Sequence, residues 1–344
     1  MNIVFRVDSS SQMGVGHLMR CLTLADELEK QNHNATFICR ELKGNLIKSI
    51  NYKVFVLPLD KDFQSDDLYL SWLGATQEQD AKQTIQAIHN NADLLIVDSY
   101  ALDEVWHKQL KLHTKKIMVI DDLANRQFDC DILLNQNLGS YKDDYKNKAP
   151  KDCRLLLGCD YALLRLEFVT LRVQALKKRR NTTEIKNILI SMGGSDKNNV
   201  TYDVLQQIDG DFNIVVVLGS ASIHQEMIKD YAQDKNIEVI VNSKNMAELM
   251  LKADLAIGAG GATSWERCCL GLPTLLYVLS ENQRKTAENL EQLGAVMIVR
   301  NLENDFQALV NGFSLWQFMS SKSQSICAGL GTEKVVACLG GLQK

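Results

Sequence analysis

Short apolar runs rich in Val, Ile and Leu, mostly without polar alternation, recur between helical patterns along the whole chain. Such runs suit strands buried on both faces of a parallel sheet, and their alternation with helices predicts a doubly wound α/β architecture. The first set covers residues 2–7, 35–39, 54–57, 94–98, 116–121 and 132–135, with helical patterns clearest at 77–89 and 103–112. A polar stretch and a charged segment containing Lys177-Lys178-Arg179-Arg180 follow. A second set then runs through 187–192, 212–218, 237–241, 255–258, 273–279 and 295–299, ahead of a helical tail. With 344 residues, two cores are favoured over one. The reading is therefore two Rossmann-like domains, 1–160 and 175–344, facing each other across a cleft. The basic run between them reads as a solvated linker rather than a grip on phosphate.

In such folds the loops at the carboxyl ends of strands carry the chemistry. The first strand leads into Asp8-Ser9-Ser10-Ser11-Gln12-Met13-Gly14-Val15-Gly16-His17 and then an amphipathic helical stretch at 18–28. Gly14 and Gly16 would let backbone amides approach a ligand. His17 falls in the first helical turn, where the positive end of the helix favours an uncharged imidazole able to take a proton. A plain turn with a polar cap fits the same residues. Other strand ends carry Asp98-Ser99-Tyr100, Asp121-Asp122 and Asn135-Gln136-Asn137.

In the second half, Gly258-Ala259-Gly260-Gly261-Ala262-Thr263-Ser264-Trp265-Glu266 reads as strand, glycine turn and helix start. Free amides there, with the Thr263 or Ser264 hydroxyl, suit a diphosphate, and the two oxygens of Glu266 suit the hydroxyls of a ribose. The Thr263/Glu266 spacing is equally that of a capping box. Gly193-Gly194-Ser195-Asp196 is a second strand-to-helix loop able to close over phosphates or sugar hydroxyls. Neither loop is a P-loop, and the opening loop has Met19 where a dinucleotide fingerprint needs its third glycine.

A composition with 23% charged residues and a net charge of −4 gives no reason to expect nucleic acid as a partner. The start lacks the marks of a signal peptide, and no apolar run reaches the roughly 18 residues of a membrane span. Nine cysteines, an odd number with no C-x-x-C pair, read as thiols of a reducing cytoplasm. Asp129-Cys130-Asp131 reads as structural acids rather than a metal site, so neither a metal nor another cofactor is expected. His33, His89, His107, His113 and His224 sit in polar contexts that favour surface roles.

The stretch from Arg6 to His17, with Arg20-Cys21-Leu22 after it, resembles the opening of the UDP-2,4-diacetamido-2,4,6-trideoxy-β-L-altropyranose hydrolases of pseudaminic acid biosynthesis. The likeness continues through Asp98-Ser99-Tyr100, Asp121-Asp122, Asp131-Ile132-Leu133-Leu134-Asn135, Gly158, Tyr161-Ala162-Leu163-Leu164-Arg165, Met192-Gly193-Gly194-Ser195-Asp196 and Glu281-Asn282-Gln283. The glycine loops are shared with the wider GT-B glycosyltransferases. The resemblance implies a GT-B fold, UDP held mainly by the second domain, and water in place of an acceptor. Carried over, His17 matches the family's general base, Tyr100 a tyrosine lining the sugar site, Asn282 an asparagine near the reacting centre, and Glu266 the ribose ligand. Substrate contacts are expected from Gly14, Gly16, Arg20 and Asp98, and from Gly193, Gly194, Ser195, Gly260, Gly261, Thr263, Ser264 and Gln283. The expected partner is a small-molecule UDP-sugar, and the expected reaction is metal-independent hydrolysis with inversion in a pathway leading to flagellin glycosylation. The rivals are a GT-B glycosyltransferase, a hydrolysing UDP-N-acetylhexosamine 2-epimerase, and a nucleotide-sugar binding module without turnover.

Overall fold

The computed structural model describes residues 1–340 apart from 61, 89, 90, 195 and 221. The chain forms two units, Met1–Leu163 joined by the segment from Gly331, and Leu164–Leu330.

In the first unit the chain runs β1 (Asn2–Val7), α1 (Gly16–Lys30), β2 (Asn34–Arg40), β3 (Lys53–Leu57), α2 (Leu68–Leu73), α3 (Gln77–Ala87), β4 (Leu94–Asp98), α4 (Glu104–Leu110), β5 (Ile117–Ile120), β6 (Ile132–Asn135) and β7 (Arg154–Leu157). The strands form one sheet in the order β3-β2-β1-β4-β5-β6-β7. Every residue of β4, β5 and β6 is buried, as expected of parallel strands covered on both faces. Along β1 the faces alternate. Ile3, Phe5 and Val7 enter the core shared with α1, while Val4 enters the opposite core with Trp106. Arg6 turns to the Val4 side and donates to Asp80 of α3 at 3.1 and 2.5 Å. The strand order reverses between β1 and β4, so their carboxyl ends flank the topological switch point.

The second unit runs α5 (Leu166–Asn181), β8 (Asn187–Ser191), α6 (Val200–Gln207), β9 (Asn213–Leu218), α7 (Gln225–Ala232), β10 (Ile237–Val241), α8 (Met246–Lys252), β11 (Leu255–Ala259), α9 (Thr263–Cys269), β12 (Thr274–Tyr277), α10 (Glu281–Gln292), β13 (Met297–Ile298), α11 (Leu302–Asn311) and α12 (Phe313–Ile326). Its parallel sheet has the order β10-β9-β8-β11-β12-β13, with the switch point between β8 and β11.

Three expectations need correction here. The tail does not extend the second domain to residue 344. After Leu330 the chain returns to the first unit, where α13 (Gly331–Gly340) buries Val335, Val336 and Leu339 in the core that holds α1. Gly331 permits that docking, because a Cβ there would lie 2.3 Å from the Ala162 carbonyl oxygen. The division also falls at Leu163/Leu164 rather than across residues 160–175. The basic run is no solvated linker either. It belongs to α5, where Lys178 pairs with Asp254 and the buried Arg179 donates to the Ala253 carbonyl and, at 2.6 Å, to that of Met250. These contacts tie α5 to the end of α8, whose last carbonyls have no helical partner.

All nine cysteines are free thiols. No described helix is long and apolar enough to cross a membrane.

Candidate active site

The loop leaving β1 is closed on itself, with the Gly14 amide donating to the Ser10 carbonyl at 2.9 Å. Gly14 has φ +81°, a left-handed conformation that favours glycine. Its amide is therefore engaged within the loop and is not offered to a ligand. α1 follows with no side-chain cap and places His17 in its first turn.

His17 Nδ1 lies 2.6 Å from Asp98 Oδ1 at the end of β4. A carboxylate only accepts, so Nδ1 carries a proton and donates it to Asp98, which turns Nε2 to the opposite side of the ring. One turn on, Arg20 grips the same carboxylate with both arms, Nε to Oδ2 at 2.6 Å and Nη2 to Oδ1 at 2.7 Å. Arg20 Nη2 also stands 3.2 Å from His17 Nδ1. Since both nitrogens are donors, they share Asp98 rather than bond to each other. Burial alone would raise the Asp98 carboxyl, but Arg20 and His17 outweigh it and hold the group well below the usual carboxylate range.

Asp122, beyond β5, joins a second layer. It accepts from Arg20 Nη1 at 3.0 Å, from the Tyr100 hydroxyl at 2.8 Å and from Asn137 Nδ2 at 2.9 Å. The Tyr100 ring is thereby pinned edge-on to His17, with centroids 4.6 Å apart. Burial and the adjacent Asp122 push the Tyr100 phenol well above its ordinary value, so it stays protonated and donating. The arrangement is an imidazole with one nitrogen fixed and the other without a partner among the described residues, the geometry of a general base.

In the second unit, two glycine loops flank the switch point. Gly193 and Gly194 follow β8 at positions where an added Cβ would meet open space. The loop closes at Asp196, whose carboxylate accepts from the Val200 and Thr201 amides at 2.9 and 3.0 Å. Ser195 lies outside the described residues. Gly219, after β9, is required here because a Cβ would come within 2.1 Å of the Gly194 carbonyl oxygen.

Beyond β11, the Gly260 amide donates to Tyr277 and the Ser264 amide to Gly261. The amides of Gly261, Ala262 and Thr263 have no acceptor among the described residues, so the expected donor set narrows to these three. The Ser264 hydroxyl accepts from the buried Arg267 at 3.3 Å, which leaves its own proton to donate. Gln283 packs on this loop, its Cβ 3.2 Å from where a Gly260 Cβ would stand, and its side-chain oxygen accepts from Leu279 at 3.0 Å. Asn282 beside it is exposed, with its carbonyl oxygen on the Ser280 hydroxyl at 2.5 Å. Glu266 faces Arg165 at 3.4 Å, and burial raises its carboxyl against the lowering effect of that guanidinium.

The glycosyltransferase family 28 C-terminal domain model matches residues 167–326. The UDP-2,4-diacetamido-2,4,6-trideoxy-β-L-altropyranose hydrolase of Campylobacter jejuni is 30% identical over 299 residues, covering 86% of this chain and 97% of its own. The chain belongs to the family of that hydrolase. An uncharacterised protein of Methanocaldococcus jannaschii is 31% identical over 296 residues, 83% of this chain, and the chain spans 57% of that relative's length. MurG of Acinetobacter baumannii, at 17% identity, matches in structure with a TM-score of 0.68 over 99% of this chain and 100% of its own. The fold is accordingly GT-B, and the family places the chain among nucleotide-sugar-processing enzymes.

Within this hydrolase family, several expected residues take different parts from those read in the sequence. Asp98 and Arg20 are buried and their polar atoms are engaged, so they orient His17 instead of presenting groups to a substrate. The Thr263/Glu266 capping box does not form, because the cap is Ala262 and Thr263 is the first helical residue. His107 is fully buried rather than superficial, accepting from the Asp129 amide at 3.3 Å, and burial pushes its ring down to about 3. His89 lies outside the described residues. Asp129 and Asp131 pair with Lys111 and Lys116. Sequence reasoning left Asp122 out of the site, although its strand-end position was visible. Arg165 was visible only as part of the resembling stretch 161–165, with no role read for it, and Arg267 carried no signal.

Proposed function

We propose that this protein hydrolyses a UDP-activated diacetamido-trideoxy hexose, UDP-2,4-diacetamido-2,4,6-trideoxy-β-L-altropyranose, to UDP and the free sugar. The observation that carries the reading is the His17 imidazole fixed through Nδ1 by a buried, doubly gripped Asp98 at the switch point of the first unit. In this reading His17 Nε2 takes a proton from water as the water oxygen attacks the anomeric carbon. The carbon–oxygen bond to the diphosphate breaks, the configuration inverts, and the electron pair leaves with UDP. The amides of Gly261, Ala262 and Thr263 receive the developing negative charge. Glu266 accepts from the ribose hydroxyls, and Asn282 orients the sugar or the water. The relative from Campylobacter jejuni carries this activity in its name.

The deciding experiment incubates purified protein with this UDP-sugar, without acceptor, in water enriched in oxygen-18, and follows the anomeric proton signal. Loss of the substrate signal with label in the free sugar is expected. UDP release only once an acceptor is added would establish the transferase reading instead, which the family 28 domain match favours, and UDP binding with no release in either case would establish a binding module. Conversion of UDP-N-acetylglucosamine to a released 2-epimer would establish the epimerase reading.

The ribose assignment has its own test. Glu266→Gln removes a charged acceptor worth roughly tenfold to a hundredfold in affinity. Calorimetry should therefore show UDP weakened by about that factor and 2′-deoxy-UDP weakened far less. Equal losses for both nucleotides would remove Glu266 from the ribose.

A further inference from the structure

Two aromatic side chains of α2 stand beside the His17–Tyr100 pair and have no part in the mechanism above. The Tyr69 ring meets Tyr100 at 5.3 Å and 70°, and Trp72 meets Tyr69 at 5.5 Å and 79°. Trp72 and Tyr100 are 6.5 Å apart. Three residues apart on a helix, Tyr69 and Trp72 share one face. The short helix is held at both ends. Asp67 caps the amides of Tyr69 and Leu70 at 2.9 and 2.8 Å, and Gly74 ends the turn in the left-handed region with φ +68°.

Both rings are half-buried. Tyr69 packs against the core on its side of the sheet, whereas Trp72 lies outside that core. Among the described residues, neither the Tyr69 hydroxyl nor the Trp72 indole N–H makes a hydrogen bond. The other three tryptophans, Trp106, Trp265 and Trp316, are at most 1% exposed. A half-open indole with an unused donor, continued through Tyr69 to Tyr100, which alone stands edge-on to the candidate base, is a surface that suits a ligand with an apolar face and a polar rim.

We propose that Tyr69, Trp72 and Tyr100 form an aromatic wall of the sugar subsite, which takes the methyl groups of an N-acylated deoxyhexose and selects it over a fully hydroxylated hexose. The inference rests on the function proposed above, since it names the part of the substrate this wall reads. Discrimination of this kind is on the order of 10- to 200-fold for each methyl-sized group.

Because three of the four tryptophans are sealed, acrylamide quenching of the full chain reports on Trp72. On a His17→Ala background, where substrate persists, the diacetamido-trideoxy UDP-sugar should shield the quenchable tryptophan and UDP alone should not. Trp72→Phe should abolish the quenchable signal. No shielding by the nucleotide sugar, or equal shielding by UDP, overturns the wall. In the catalytically intact protein, Trp72→Ala and Tyr69→Ala should each lower kcat/KM for the deoxy sugar by roughly tenfold or more. The same variants should leave UDP affinity nearly unchanged and narrow the preference for the deoxy sugar over UDP-glucose by roughly the same factor, and Trp72→Phe should restore most of the loss. Parallel losses on both sugars overturn the selectivity. If the unmodified protein releases no sugar at all, the hydrolase reading fails, while the quenching measurement still decides the wall.

Discussion

Replacing His17 with alanine or phenylalanine is expected to lower turnover of the UDP-sugar by roughly 10²- to 10⁴-fold, the span a positioned general base supplies. UDP affinity should hardly move, because the proposed nucleotide contacts all belong to the second unit. The substitution leaves Asp98 bidentate on Arg20, so the buried carboxylate keeps a partner and the fold has no new unpaired charge. A rate from the anomeric proton signal and a calorimetric UDP titration on the same sample separate the two quantities. Turnover retained within a few-fold would strip His17 of the role of base. A matching collapse of UDP binding would instead point to a folding defect.

The second large effect is on stability. Asp80 is fully buried and accepts from Arg6 at 3.1 and 2.5 Å, Arg40 at 2.8 Å and the Trp106 indole at 3.1 Å. Asp80→Asn removes the charge facing two buried guanidinium groups and turns an N–H toward one of them. Breaking a buried pair in this way costs about 3–5 kcal/mol, measurable as a lowered urea midpoint. Burial alone would raise the Asp80 carboxyl, but Arg6 and Arg40 outweigh it and leave it below its ordinary value. Its stabilising contribution is thus complete above the unfolded-chain value of about 3.9 and fades as pH falls through the lower folded value. The gap between parent and variant should be constant near neutrality and narrow only in acid. A gap that closes already between pH 6 and 8 would assign the stability to some other group.

Strands at 94–98, 132–135 and 237–241 were legible to the residue, since a short Val/Ile/Leu-rich run bounded by polar residues has few other uses in a parallel sheet. β7 was not read, because its four residues begin with the exposed Arg154 and merge with the apolar stretch that follows. α2 is six residues long and offers too few turns for a period to show. Charge misled at Lys177–Arg180, where the stems pack on the unit and only some of the charge meets water. Polar context misled at His107 in the same way. In the site, His17 and the glycine loops could be located because strand-to-helix loops carry their own signature. What holds His17 could not, because Asp98 reaches it through the β1–β4 pairing that sets Val7 beside Asp98, a register fixed by the whole sheet. Tyr69 and Trp72 were invisible for the same reason, being local to a helix whose neighbours come from elsewhere in the chain.

The return of α13 to the first unit has a bearing on biosynthesis. All of Leu164–Leu330 leaves the ribosome before Gly331 does, so the second sheet can mature while the first still lacks its last helix. At about 5–20 residues per second the interval is roughly 10–30 s, during which the apolar surface destined for Val335, Val336 and Leu339 stands uncovered beside α1. Nascent chains arrested short of Gly331 should accordingly be cut by protease first around α1, ahead of any site in the second unit.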